Sequence, residues 1–184
     1  MTRRAACALV VVAGCGAQLG GGDSDGTNID GAILRDGSVD APIDARPCTG
    51  GDRAMVGPDA SCFVHVTTPK TYLQAKAACE AMNAHLAYLK SATLDTFAEQ
   101  FVGSVDTWIG GSDRVTEGTF LWEDGTAFAF TNWHTGEPNN GGGGTYQEDC
   151  VIIAGARVDK QWDDRPCDAS EIATSGSFAY LCNY

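Results

Sequence analysis

Six cysteines, Cys48, Cys62, Cys79, Cys150, Cys167 and Cys182, follow residue 47, and they constrain the fold more than any other feature of the chain. Two more, Cys7 and Cys15, lie in an N-terminal stretch of different character. That stretch has the marks of an export signal: Arg3 and Arg4, then an apolar run from Ala5 to Val12 that is too short to span a bilayer. An even set of cysteines in an exported chain points to disulfides. None of the six stands in the short paired spacing of a structural zinc site. Spacing alone does not choose among the many pairings that six cysteines allow.

The small residues Val12-Ala13-Gly14 ahead of Cys15 resemble a bacterial lipobox, where the signal is cut before the cysteine and the thiol is lipidated. The simpler alternative is a secretory signal with an incidental cysteine. We read residues 1–14 as a lipoprotein signal peptide and Cys15 as the lipidation site. Gly16 after Cys15, rather than aspartate, resembles an outer-membrane address. The expected location is the bacterial envelope, lipid-anchored at the outer membrane, on its surface or periplasmic face.

Residues 15–47 then form a tether. Asp23, Asp25, Asp30, Asp36, Asp40 and Asp44 recur among small residues with no aromatic. Such a segment buries too little surface to offset its ordering entropy, and its charges repel one another. Asp23-Ser24-Asp25-Gly26 is faintly like a calcium loop but lacks the closing glutamate. The folded domain is expected over residues 48–184. At 43% hydrophobic and 9% aromatic the chain can build a core. A net charge of −12 excludes nucleic acid as a natural partner, and leaves membrane contact to the lipid anchor.

Within that domain Cys62 to Val66 is strand-like. From Thr71 to Leu86 the apolar positions Tyr72, Ala75, Cys79 and Met82 recur at helical spacing. Leu86-Ala87-Tyr88-Leu89 reads as a short strand. Ser91 is placed to cap a second helix carrying Leu94, Phe97, Phe101 and Val102, which Gly103 ends. Afterwards helical periodicity stops. Trp108-Ile109-Gly110, Phe120-Leu121-Trp122, Cys150 to Ile153 and Phe178 to Cys182 are short strands between long, glycine-rich loops. Helices first and strands later make an α+β domain.

The loops carry the chemistry. Glu137-Pro138-Asn139, Glu148-Asp149-Cys150 and Trp162-Asp163-Asp164 concentrate side-chain oxygens in a short span. Calcium wants such a set, about six to eight oxygen ligands, whereas magnesium keeps more water and zinc prefers nitrogen and sulfur. Each carboxylate alone is an ordinary solvated loop group; it is the ordered set that reads as a cation site.

Together with Trp108-Ile109-Gly110-Gly111, Trp122-Glu123-Asp124-Gly125, Asn132-Trp133, Gly136 to Asn140, Cys167 and Tyr180-Leu181-Cys182, these motifs resemble the C-type lectin-like domain from about Cys48 to Tyr184. The resemblance implies an α+β lectin-like fold of two helices and short antiparallel strands. It implies the disulfides Cys48–Cys62 (of the long form), Cys79–Cys182 and Cys150–Cys167, and a cis Glu137–Pro138 bond. A principal calcium site would map onto Glu137, Asn139, Glu148, Asp163 and Asp164, and an auxiliary one onto Asp113, Glu117, Asn140, Glu148 and Asp149. Calcium is thus the implied cofactor and a glycan the implied ligand. Its vicinal hydroxyls would meet the ion and Glu137, Asn139, Glu148 and Asp163. The family's sugar binders usually carry asparagine where this chain has Asp163. Aspartate offers acceptors only, so a donor to the sugar is missing; on this reading Asp163→Asn keeps calcium and strengthens or broadens sugar binding.

Other readings compete. Trp108, Trp122 and Trp162 read as core and His65 and His85 as structural; Trp133 and His134, just before the calcium motif, read as core or surface filler ahead of ligand contacts, and Tyr146 as near a ligand only through its place in the loop. A calcium-stiffened domain that binds a protein partner is the main alternative. A glycoside hydrolase using Glu148 and Asp163 is the remote one. No nucleophile elbow or phosphate loop is present in the sequence, so we expect a non-enzymatic, adhesion-like surface protein.

Overall fold

The computed structural model describes residues 46–142, 147–168 and 176–184. The signal peptide, Cys15, nearly all of the tether, and Tyr146 lie outside the described residues. The strands are β1 (Arg53–Val56), β2 (Cys62–Lys70), β3 (His85–Leu86), β4 (Thr107–Ser112), β5 (Leu121–Trp122), β6 (Cys150–Ile153), β7 (Trp162–Arg165) and β8 (Phe178–Asn183); the helices are α1 (Tyr72–Ala81) and α2 (Ala92–Val102). They form one sheet of order β1-β2-β8-β4-β6-β7, with β3 on β8 and β5 on β4.

The α+β expectation holds, with local corrections. Thr71 and Gln74 form a reciprocal capping box that starts α1, which buries Tyr72, Ala75 and Cys79. The helix stops at Ala81, short of the Leu86 expected, because Asn83 turns left-handed at φ 52° and leads into β3. Ser91 Oγ accepts from the Leu94 amide to open α2, and Gly103 at φ 69° closes it. Strand β1 carries no alternation to read, since Met55 and Val56 are exposed. Strand β7 is disguised by its charges. β4 and β8 run parallel, an exception to the antiparallel expectation.

The cross-links are Cys48–Cys62, Cys79–Cys182 and Cys150–Cys167, as the resemblance implied. Cys79–Cys182 ties α1 to β8 across 103 residues, and closing so long a loop in the unfolded chain is worth about 4–5 kcal/mol in the entropy model. One buried group gathers Tyr72, Cys79, Leu86, Trp108 and Ile152; another gathers Phe63, Phe101, Trp122, Val151 and Trp162. The three tryptophans Trp108, Trp122 and Trp162 are core, as expected. Gly110 and Gly111 let this core close. A Cβ at Gly110 would stand 2.6 Å from the Leu86 carbonyl oxygen, and one at Gly111 would stand 2.4 Å from the Phe128 ring.

Candidate functional site

Strand β7 lies at one end of the sheet, paired on one side with β6 through Ile153↔Trp162, Ile152↔Asp163 and Val151↔Asp164. Its other edge is covered by the loop at Asn132–His134. Trp162 N–H donates to the Asn132 carbonyl at 2.7 Å, and His134 N–H donates to the Trp162 carbonyl at 2.9 Å. This bridge brings Glu137-Pro138-Asn139, with its cis Glu137–Pro138 peptide, against Asp163 and Asp164.

Helix α2 locks the bridge from below. Asp95, 3% exposed, accepts from Trp162 Nε1 at 2.7 Å and from Asn132 Nδ2 at 2.8 Å. Burial pushes the Asp95 carboxyl up to about 6, against those two donors. Asp95 was not among the residues singled out from sequence. Its signal was an aspartate on the apolar stripe with Ala98 and Val102.

Carboxylate oxygens of Glu137, Asp163 and Asp164 lie within 4.8 Å of one another, with both aspartates buried. Asp164 anchors the loop: its oxygens accept from the backbone N–H of Asn139 at 3.1 and 3.2 Å and of Asn140 at 2.8 Å. Asn139 Nδ2 donates to Glu137 Oε2. Glu148 stands beside this trio rather than within it. Its Oε2 accepts from Gly141 N–H at 2.7 Å, and its own N–H donates to Asn140 Oδ1 at 2.7 Å. Burial and the neighbouring Asp163 and Asp164 push Glu137 up to about 7; Glu148 and Asp163 are also raised, chiefly by burial.

Two arginines that the sequence reading did not single out close on the same group. Arg165 Nη2 donates to Asp163 Oδ2 at 2.6 Å, and Arg157 Nη2 reaches the same oxygen at 2.7 Å. Asp163 has no side-chain N–H, and its Oδ2 holds two guanidiniums. His134 is turned to Asp159, Nδ1 to Oδ2 at 2.7 Å, and Trp133 packs edge-on against Phe120 and Trp162.

Among the described residues the auxiliary set meets in pairs, without the three-way convergence of the first group. Asn140 Nδ2 donates to Glu117 Oε1 at 3.0 Å, and Asp113 N–H donates to the Asp149 carbonyl at 3.1 Å. Asp113 Oδ2 accepts from Gly118 N–H at 2.8 Å. Burial, then Glu117 and Asp149, push Asp113 up to about 6; burial also raises Asp149.

The donor set fits calcium. In the first cluster Asp163 Oδ1 is buried with no hydrogen-bond partner, and in the second so are Asp113 Oδ1 and Asp149 Oδ1. Orphaned carboxylate oxygens are costly unless a cation meets them. Residues Glu137, Asn139, Glu148, Asp163 and Asp164 would hold one ion, and Asp113, Glu117, Asn140, Glu148 and Asp149 another. A bound ion would supply a Lewis-acidic centre with room for ligand oxygens.

The family model described as the lectin C-type domain matches residues 68–173. Over 106 residues the chain is 38% identical to the low affinity immunoglobulin epsilon Fc receptor of Mus musculus, covering 58% of this chain and 30% of the receptor's length. It is 36% identical over 135 residues to an alpha-N-acetylgalactosamine-specific lectin of Patiria pectinifera, covering 67% of this chain and 74% of that one. The fold aligns with a calcium-independent type II antifreeze protein at TM-score 0.60 and 26% identity, over 76% of this chain and 97% of that structure. With that family match, the disulfide frame and the converging acidic loops in place, the chain belongs to the C-type lectin domain family.

Proposed function

We propose that this domain recognises glycans through a calcium ion held by Glu137, Asn139, Glu148, Asp163 and Asp164. The observation that carries the reading is the trio of carboxylates from two separate segments within 4.8 Å, one of them with a buried oxygen left without a partner. Sugar hydroxyls would complete the ion's coordination while donating protons to Glu137 and Glu148 and accepting from Asn139. The similarity to an alpha-N-acetylgalactosamine-specific lectin supports a sugar ligand of some kind. No bond is made or broken in this scheme.

The lipobox-like leader motivates the rest: a lipid anchor at Cys15, an acidic tether, and a domain held at the outer envelope of a bacterium. Weak single sites gain avidity when clustered on a membrane.

The test is a calcium titration with a glycan array run in calcium and in chelator. Array binding that vanishes with chelator supports the reading. In Asp164→Ala, which removes a carboxylate and the acceptor for two loop amides, calcium affinity should fall at least about a hundredfold. A blank array with intact calcium uptake favours the second reading, a protein partner. That reading draws on Val115 and Val158, which stand 90% and 103% exposed, one on the loop of Asp113 and Glu117 and the other beside Arg157.

A further inference from the structure

Asn140-Gly141 is the one place in the chain where a side-chain amide is followed by a residue without a Cβ. Both residues turn left-handed, at φ 48° and 73°, and Gly141 is exposed. Three contacts converge on the pair. Gly141 N–H donates to Glu148 Oε2 at 2.7 Å, Asn140 Oδ1 accepts from Glu148 N–H at 2.7 Å, and Asn140 Nδ2 donates to Glu117 Oε1 at 3.0 Å. These partners fix the orientation of the side-chain amide. Turned over, it would set its NH2 against an N–H and its oxygen against a carboxylate.

We propose that Asn140 is a self-modification site: the Gly141 nitrogen attacks Asn140 Cγ with Glu148 as base, closing a succinimide that water opens to aspartate or isoaspartate. The contacts assign the roles. As the bond from Gly141 N to Asn140 Cγ forms, Glu148 Oε2, already 2.7 Å from that nitrogen, takes the amide proton. Negative charge gathers on Asn140 Oδ1, where the Glu148 N–H stands as an oxyanion donor. The Cγ–Nδ2 bond then breaks, and the nitrogen leaves as ammonia with the proton that Glu148 took. Water adds to either imide carbonyl, so one water enters, one ammonia departs, and nothing is oxidised or reduced. Gly141 has no Cβ to obstruct the attack. Two other asparagines set the comparison. Asn83 is also left-handed, at φ 52°, but it precedes Ala84, whose N–H goes to the Cys79 carbonyl and not to a base. Asn139 precedes Asn140, whose N–H reaches Asp164 Oδ2 at 2.8 Å; yet Asn140 carries a Cβ, and among the described residues no N–H meets the Asn139 side-chain oxygen. The product sets a new carboxylate against Glu117, in the cluster where Asp113 Oδ1 and Asp149 Oδ1 already lack partners, and so raises that cluster's demand for a cation.

The experiment incubates the full chain at neutral pH in chelator and heavy-oxygen water, and follows residue 140 by peptide mapping with mass spectrometry. Chelator keeps cations off Asn140 and Glu148, and incorporation of heavy oxygen marks the hydrolysed imide. Conversion should run about tenfold faster in the native fold than in the same chain unfolded in guanidinium, where Asn-Gly reacts without a placed base. That comparison needs no variant. Glu148→Gln keeps an acceptor for the Gly141 amide but is not a base, and it should bring the native rate down to the unfolded rate or below. A native rate equal to or slower than the unfolded one, a native rate unmoved by Glu148→Gln, or conversion spread evenly over Asn83, Asn139 and Asn140 overturns the inference.

Discussion

The two acidic clusters of this domain share Glu148 yet are compensated in different ways. Around Asp163 and Asp164 the negative charge is answered by protein: two guanidiniums on one aspartate and two backbone amides on the other. Around Asp113 and Asp149 less answers it: Arg114 lies near Asp149, but no guanidinium hydrogen-bonds either aspartate among the described residues. Gly118 N–H serves one oxygen of Asp113, while Asp113 Oδ1 and Asp149 Oδ1 are buried and unpartnered. A carboxylate cluster with its own counter-charges holds its shape without metal. One without them depends on an external cation or on protons. The first cluster is therefore the better preorganised in the absence of metal.

Acidification tests the comparison most severely. Glu137 sits at about 7 and must lose its proton to serve an ion, so calcium affinity should weaken about a hundredfold between pH 8 and pH 5, as read by titration calorimetry. Metal-free stability should move the other way. Glu137 is raised from 4.5 to about 7 and Asp113 from 3.8 to about 6 in the fold, so the unfolded chain gives up its protons first as pH rises. Their contributions are present in full below the unfolded values and are lost as pH climbs through 6 and 7. In chelator the domain should melt higher at pH 5 than at pH 8, and the reverse order would show that the clusters are not desolvated as described.

Next come paired substitutions of opposite sign. Asp163→Asn strands Arg157 and Arg165 without their shared carboxylate, and in chelator it should cost about 1–2 kcal/mol in urea unfolding, the arginines being partly solvated. Asp113→Asn removes a charge that no cation answers. It should stabilise the chelated domain by up to about 1 kcal/mol while weakening calcium uptake at the auxiliary cluster. Two effects of the same sign would erase the distinction between the clusters. Tighter binding of neutral sugars by Asp163→Asn, with the fold intact, would support the donor argument made from sequence.

Much of the fold was legible because its signals are local. Ser91 caps the helix it precedes, Gly103 ends that helix, and apolar runs such as Cys150 to Ile153 are strands at the residues expected. Strand β7 was not, because Asp163, Asp164 and Arg165 hide a backbone ladder behind charge. The start of the site was legible as an ordered set of acids. Its completion was not: Arg157 and Arg165 carry no motif of their own, and Asp95 lies on α2, far from the loops in sequence.

By itself the sequence determined the inventory: six cysteines for three staples, two helices, one with a legible cap, and an excess of carboxylates in glycine-rich loops. Composition and short-range spacing suffice for these, since each depends on a residue and its near neighbours. Only the tertiary structure decided which acid meets which base. The Asn132–His134 loop folds onto the free edge of β7, Asp95 fastens both from α2, and Arg157 is carried to the oxygen of Asp163 that Arg165 already holds. Those pairings are fixed by backbone hydrogen bonds and burial between segments distant in the chain, and a linear pattern holds no measure of that distance.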